Sequence, residues 1–156
     1  MSSLNATSKG VILSLEKAKE EASYALSGAK VDPFNESPWR YLIGVLMEQW
    51  RYAQRKGEAE DVANANNLLR EYVTKVREMK QSWNEQQPSA DIPAGPCPNL
   101  LSALVDLLEI FTEDKECLAQ AKDLLEELVV EDPVRRKYWQ RRANGISKLL
   151  EKCMES

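Results

Sequence analysis

Val62, Leu69, Val76 and Trp83 fall seven residues apart, and Ala65, Tyr72 and Met79 each stand three residues behind one of them. That spacing puts all seven side chains on one face of an α-helix, whereas a strand would divide them between two faces. The pattern predicts a helix of about six turns. It is the longest instance of a periodicity that runs through most of the chain. Between Ile12 and Lys30, Leu13, Leu15, Ala18, Ala22, Ala25, Leu26 and Ala29 recur at helical spacing against a charged face of Glu16, Lys17, Lys19, Glu20 and Glu21. Trp39, Leu42, Ile43, Leu46 and Trp50 mark a second apolar face. Leu100, Leu101, Leu104, Leu107, Leu108 and Phe111 mark another, as do Cys117, Leu118, Ala121, Leu124, Leu125, Leu128 and Val129. Tyr138, Trp139, Ile146, Leu149 and Leu150 complete the series. No segment alternates with period two, so the expected fold class is all-α, with about six helices joined by short turns.

The punctuation agrees with that division. Asp32-Pro33-Phe34-Asn35-Glu36-Ser37-Pro38 combines two prolines with capping side chains, and predicts a new helix with Ser37 as N-cap and Pro38 at its first position. Lys56-Gly57-Glu58 reads as a short turn. Residues 86–98 hold four prolines and a glycine, which no helix tolerates, and form the expected Pro-rich loop. The last helix is expected to begin at Pro133 behind an Asp132 cap.

Composition narrows the chemistry. The chain of 156 residues has no histidine, which excludes Ser-His and Cys-His nucleophile pairs and any His-containing zinc cluster. With 21 Lys and Arg against 25 Asp and Glu the net charge is −4, so nothing global draws it to nucleic acid or an anionic membrane. Arg135, Arg136, Lys137, Arg141 and Arg142 form a local basic cluster that could meet phosphate or an acidic partner, and is read in preference as a solvated helix face. The three cysteines, Cys97, Cys117 and Cys153, include no C-x-x-C pair, which fits reduced thiols and a cytoplasmic location. No apolar run approaches the roughly 20 residues of a transmembrane helix, and the first residues lack the pattern of a secretory signal. Asn5-Ala6-Thr7 matches the N-glycosylation pattern, but without such a signal it is read as coincidence.

Two turns resemble each other. Asp32-Pro33 leads to Trp39, and Asp132-Pro133 leads to Trp139, with the same seven-residue step from Asp to Trp. In such an element proline fixes the start of the helix, a cap satisfies free amides, and the indole packs back on the preceding helix. The match is imperfect on the expected helix boundaries, which put Trp39 at a second helical position and Trp139 two turns into its helix. Its recurrence points to an α-solenoid, in which hairpins bury their faces by stacking.

The stretch Asp32-Pro33-Phe34-Asn35-Glu36-Ser37-Pro38-Trp39-Arg40-Tyr41-Leu42 resembles the repeat of protein prenyltransferase α subunits, a proline turn followed by Asn-x-Ser-x-Trp and then an aromatic or Arg. Asp132-Pro133-Val134-Arg135-Arg136-Lys137-Tyr138-Trp139 is similar to the closing helix of the α subunit shared by protein farnesyltransferase and type I geranylgeranyltransferase. Asn99 to Phe111 and Lys115 to Glu131 resemble the penultimate hairpin, so the similarity covers most of residues 12–150. Leu42 after Tyr41 is similar to the family's last full repeat, and no position matches the Lys and Tyr that reach the isoprenoid diphosphate in earlier repeats. The stretch from Gln54 to Pro98 departs from the family pattern.

The resemblance implies a single right-handed α-α superhelix over 1–156, the C-terminal portion of a longer repeat subunit. It implies a partner β subunit that carries the zinc, and transfer of farnesyl or geranylgeranyl from its diphosphate to a CaaX cysteine by the heterodimer. This chain would hold no cofactor and no catalytic residue. Its motif and interface candidates are Asn35, Ser37, Trp39, Tyr41, Arg135, Tyr138 and Trp139. Cys153-Met154-Glu155-Ser156 has the length of a CaaX box with Ser at the farnesyl-type last position, although Glu155 is a poor match for the aliphatic third position. The rival reading is a non-catalytic tetratricopeptide-like adaptor that binds a protein partner, and a third, a basic-face phosphate or RNA binder, is disfavoured by the net charge of −4.

Overall fold

The structure, a computed structural model, describes residues 12–85 and 97–155. The Pro-rich loop, except for Cys97 and Pro98, and the Asn5-Ala6-Thr7 pattern lie outside the described residues. Six α-helices follow in order: α1 (Leu15–Val31), α2 (Glu36–Lys56), α3 (Ala59–Glu85), α4 (Pro98–Leu108), α5 (Lys115–Glu131) and α6 (Arg136–Glu155), the last preceded by a single 3-10 turn, Pro133–Arg135. Among the described residues there is no strand, and the all-α expectation is met. The chain divides into two compact units, Met1–Tyr72 and Val73–Ser156, with the division falling inside α3.

In the first unit α1 packs along α2. Ser14 caps α1, its hydroxyl accepting from the Lys17 amide at 3.1 Å, and Ala18, Ala22, Ala25, Leu26 and Ala29 form the buried stripe. Four of these five are alanines, and small side chains let the helix lie close against the Trp39, Leu42, Val45 and Leu46 face of α2. Gly57, at φ 74, ends α2 in the left-handed conformation, with its amide bonded to the Ala53 carbonyl. The Lys56-Gly57-Glu58 turn is thus where its glycine required it.

The second unit holds α4, α5 and α6, with α5 packed against both neighbours. The short α4 buries Leu100, Leu101, Ala103, Leu104, Val105, Leu107 and Leu108, almost its whole circumference, and is the most apolar element. It starts with Pro98 behind Cys97, because proline lacks only an amide that a first turn leaves unbonded. The second half of α3 is tied to α5 by Arg77, whose guanidinium donates to Gln120 Oε1 (2.8 Å from Nε), and by Lys80 with Glu127 at 3.4 Å.

Two helix starts differ from the sequence expectation, for physical reasons. Ser37 is not the N-cap of α2. The Asn35 amide bonds back to the Asp32 carbonyl, which sets Asn35 at the cap, and its Oδ1 accepts from the Ser37 amide at 3.1 Å. Pro38 consequently sits third in the helix, still within the first turn whose amides have no helical acceptor. At the other turn the Asp132 side chain caps nothing, because it is taken by an indole, and the backbone makes a 3-10 turn before α6 begins at Arg136.

Those corrections remove the mismatch between the two turns. Trp39 and Trp139 are each the fourth residue of their helix, and each is only 3% exposed. Removing such an indole leaves a cavity, so Trp39→Ala and Trp139→Ala are each expected to lower unfolding free energy by about 3–5 kcal/mol. Asn35→Ala should cost about 1 kcal/mol as a lost cap, and Ser37→Ala well under that. Urea unfolding of the four variants checks the order, and a Ser37→Ala loss equal to that of Asn35→Ala would contradict the cap assignment.

Candidate functional site

The two Asp-Pro turns share their backbone geometry. Asp32 follows the 17-residue α1 and Asp132 the 17-residue α5, with φ,ψ of −142,82 and −131,69. Each Asp amide bonds to the carbonyl four residues earlier, Gly28 at 3.1 Å and Leu128 at 2.8 Å. Each Asp carbonyl accepts from the amide three residues later, Asn35 and Arg135, both at 3.1 Å. The preceding helices also begin alike, with Ser14 and Asp114 accepting from the amides of Lys17 and Cys117 at 3.1 Å. Helix, cap, turn and tryptophan therefore recur in one register, each member 100 residues from its counterpart.

Each indole then reaches back to its turn. Trp39 Nε1 donates to the Pro33 carbonyl at 2.9 Å, and Trp139 Nε1 donates to Asp132 Oδ2 at 3.0 Å. A buried indole N–H needs an acceptor, and the turn supplies one from its backbone in the first case and from its carboxylate in the second.

Around the first turn, Asn35, Ser37 and Trp39 are brought together by these bonds, and Tyr41 points elsewhere. Its hydroxyl donates to Glu21 Oε1 on α1 at 2.6 Å. The Glu21 hydrogen bond, with burial and the carboxylate charge, pushes the Tyr41 phenol up to about 12. Around the second turn Arg135, Tyr138 and Trp139 form one group. Arg135 Nε lies 3.1 Å from the same Asp132 oxygen that takes the indole, and the Tyr138 and Trp139 rings meet edge to face at 4.8 Å.

Three members of this second group carry no motif in the sequence. Arg142 is half-buried, and its Nη2 donates to Asp106 Oδ1 at 3.0 Å and Glu109 Oε1 at 2.6 Å, while its guanidinium lies 5.7 and 5.8 Å from the Tyr138 and Trp139 ring centres. It is therefore not part of a solvated basic face. Burial raises the pKa of both Asp106 and Glu109, and the Arg142 charge opposes the rise without cancelling it. Burial would lower the guanidinium, but the charges and hydrogen bonds of Glu109 and Asp106 more than offset it and leave it raised. The one available signal was that Asp106 and Glu109 stand three apart on the margin of an otherwise apolar helix.

The first unit also contains a cleft of about 480 Å³, walled by Leu13, Gln49, Tyr52, Lys56, Asp61 and Asn64 among others. Within it, buried Gln49 donates to the Leu13 carbonyl at 2.7 Å, and Lys56 Nζ forms an ion pair at 3.0 Å with Asp61 Oδ2, a buried oxygen that accepts no hydrogen bond.

Among the described residues no three His, Cys, Asp or Glu side chains are grouped to hold a metal ion, and no helix is long and apolar enough to cross a membrane. Cys97, Cys117 and Cys153 form no disulfide, and Cys153 Sγ lies 3.6 Å from the Thr112 carbonyl. The carboxylates of the Arg142 group are held by a cation, a geometry that ties α4 and the residue after it to α6. No family model, curated protein or solved structure matches the chain.

Two outcomes follow from the charges. Arg142→Met leaves two half-buried carboxylates without their cation, and should cost about 2–3 kcal/mol at neutral pH. In that variant both carboxyl pKa values rise further above their unfolded values. Stability is then retained below the unfolded carboxyl pKa and lost as pH rises through the folded one. The penalty should accordingly be smaller in urea melts at acidic than at neutral pH, and equal penalties would contradict the assignment. For Tyr41 the raised phenol keeps its proton longer in the folded state. Its bond to Glu21 contributes below the ordinary tyrosine pKa of 10.0 and is lost as pH rises through about 12. Burial also raises the Tyr72 phenol, so ultraviolet titration should show late tyrosine ionisation to which both contribute, and Tyr41→Phe should remove the Tyr41 part of it while leaving that of Tyr72.

Proposed function

We propose that the chain provides the C-terminal repeats of the α subunit of a heterodimeric protein prenyltransferase of the farnesyl or type I geranylgeranyl class. In this reading its hairpins stack in a right-handed superhelix that supports a β subunit in the cytoplasm. The β subunit holds the zinc that activates the CaaX thiol, and transfer of the isoprenoid from its diphosphate occurs on the heterodimer. Asn35, Ser37, Trp39 and Tyr41 at one turn, and Arg135, Tyr138 and Trp139 at the other, shape and present the turns. None of them acts on the reacting atoms.

The observation that carries the reading is the register-matched pair of Asp-Pro turns, each fastened by an indole N–H. Repeat proteins are built from such units, because a single hairpin exposes an apolar face until a neighbour covers it. The Asn-x-Ser-x-Trp order of the first turn supports the prenyltransferase kind of repeat over others, and the absence of histidine is consistent with a subunit whose partner carries the metal.

Co-expression tests this directly. The chain alone should transfer no prenyl group to a CaaX peptide. Joined to the N-terminal repeats of a prenyltransferase α subunit, it should co-purify with a β subunit and restore transfer. Transfer by the chain alone would overturn the division of labour. Failure to associate with a β subunit, even with those repeats restored, would leave the peptide-binding adaptor as the better account.

A further inference from the structure

Residues 133–150 contain Arg135, Arg136, Lys137, Arg141, Arg142 and Lys148 and no acidic residue, within a chain whose net charge is −4. The structure sorts these six cations into two groups. Arg135 is tied to Asp132, and Arg142 to Asp106 and Glu109. Arg136, Lys137, Arg141 and Lys148 are exposed, and none of them forms an ion pair among the described residues.

The four are not scattered. Lys137, Arg141 and Lys148 stand at i, i+4 and i+11 on α6, which aligns them within about 40° on one side of the helix over a length of about 16 Å. Arg136 precedes the row by one residue and lies about 100° round the helix from Lys137. Two apolar side chains lie at the same end: Val134, 93% exposed in the 3-10 turn, and Tyr138, 44% exposed. The arrangement has a cost within the fold. Arg136 and Lys137 occupy the first turn of α6, where no acidic residue accompanies them and the helix dipole disfavours positive charge. Like charges at Lys137 and Arg141, one turn apart, repel further. Among the described residues no ion pair neutralises Arg136, Lys137 or Arg141, so an anion from outside would relieve both terms.

The geometry points to this face of α6 as a docking surface for an acidic segment of a protein partner, one that sets Asp or Glu side chains against Lys137, Arg141 and Lys148 and an aliphatic side chain against Val134. Charge complementarity selects the anion, and the apolar pair selects a polypeptide. A single row about 16 Å long matches roughly five residues of extended chain or three turns of helix. A nucleic acid fits less well, because a chain of net charge −4 repels a long polyanion beyond the reach of one short row. This inference stands apart from the prenyltransferase reading and can hold if that reading fails.

The test uses the full chain and a fluorescein-labelled peptide that repeats Glu-Glu-Leu, followed by fluorescence anisotropy. The comparison probes are the same peptide with Gln for Glu and a short oligothymidylate. Saturable binding of the acidic peptide is expected, weakened about 10-fold by the combined R136E/K137E/R141E change, and weakened by added salt as exposed charge pairs are. The two-site change K19E/K30E, on exposed lysines of α1, should leave it within about 2-fold. Circular dichroism establishes that the reversed variant is folded. Should it not fold, K137Q/K148Q serves in its place, with an expected loss of about 3-fold. Equal binding of the Gln peptide, binding of oligothymidylate as tight as the acidic peptide, no saturable binding at low salt, or binding indifferent to the α6 changes would each overturn the proposal.

Discussion

An indole N–H closing on the turn that precedes its own helix is the contact on which each hairpin depends. A turn between two antiparallel helices leaves carbonyls at one helix end and amides at the next without partners, and has little apolar area of its own to hold it in place. Trp39 and Trp139 solve both problems with one side chain. The ring is buried against the helix pair, and its N–H fixes the turn at Pro33 or Asp132. Because the ring spans turn and core, the angle at which the second helix leaves is set by side-chain packing as well as by the backbone.

The two versions differ in how much charge they carry. At the first turn the acceptor is a backbone carbonyl, and Asn35 handles the helix amides separately. At the second, Asp132 is shared by Trp139 and Arg135, while Tyr138 and Trp139 lie under Arg142, which holds Asp106 and Glu109. The charged version links three helices, since Asp106 lies on α4, Asp132 closes α5 and Arg142 lies on α6. Arg142 only partly compensates Asp106 and Glu109, whose carboxyls burial holds above the ordinary range, so this end of the second unit is ordered by charge at a cost in desolvation.

Periodicity made the helices legible, because burial on one face repeats every turn and any chain that obeys it must alternate with the same period. The seven-residue ladder from Val62 to Trp83 lies within α3. Caps were less legible. Ser37 and Asn35 are both good capping residues, and the choice between them rests on the Asn35-to-Asp32 backbone bond, which no local pattern announces. Asp132 fits a cap by composition, yet an indole seven residues later outcompetes the backbone for it. Arg142 is indistinguishable in sequence from its basic neighbours, because no local pattern shows that Asp106 and Glu109, more than thirty residues away, turn toward it. The recurrence of Asp-Pro and Trp was visible in the sequence, but the equality of the two turns emerged only once both helices were seen to start three residues before their tryptophan.

Two specific protons fasten the turns, and hydrogen exchange followed by nitrogen-15 NMR observes them individually. With the indole signals assigned through Trp39→Phe and Trp139→Phe, the Nε1 protons of Trp39 and Trp139 should persist in heavy water long after that of Trp50 has exchanged. Exchange of either proton as fast as that of Trp50, in a chain that remains folded, would contradict the claim that the indoles fasten the turns.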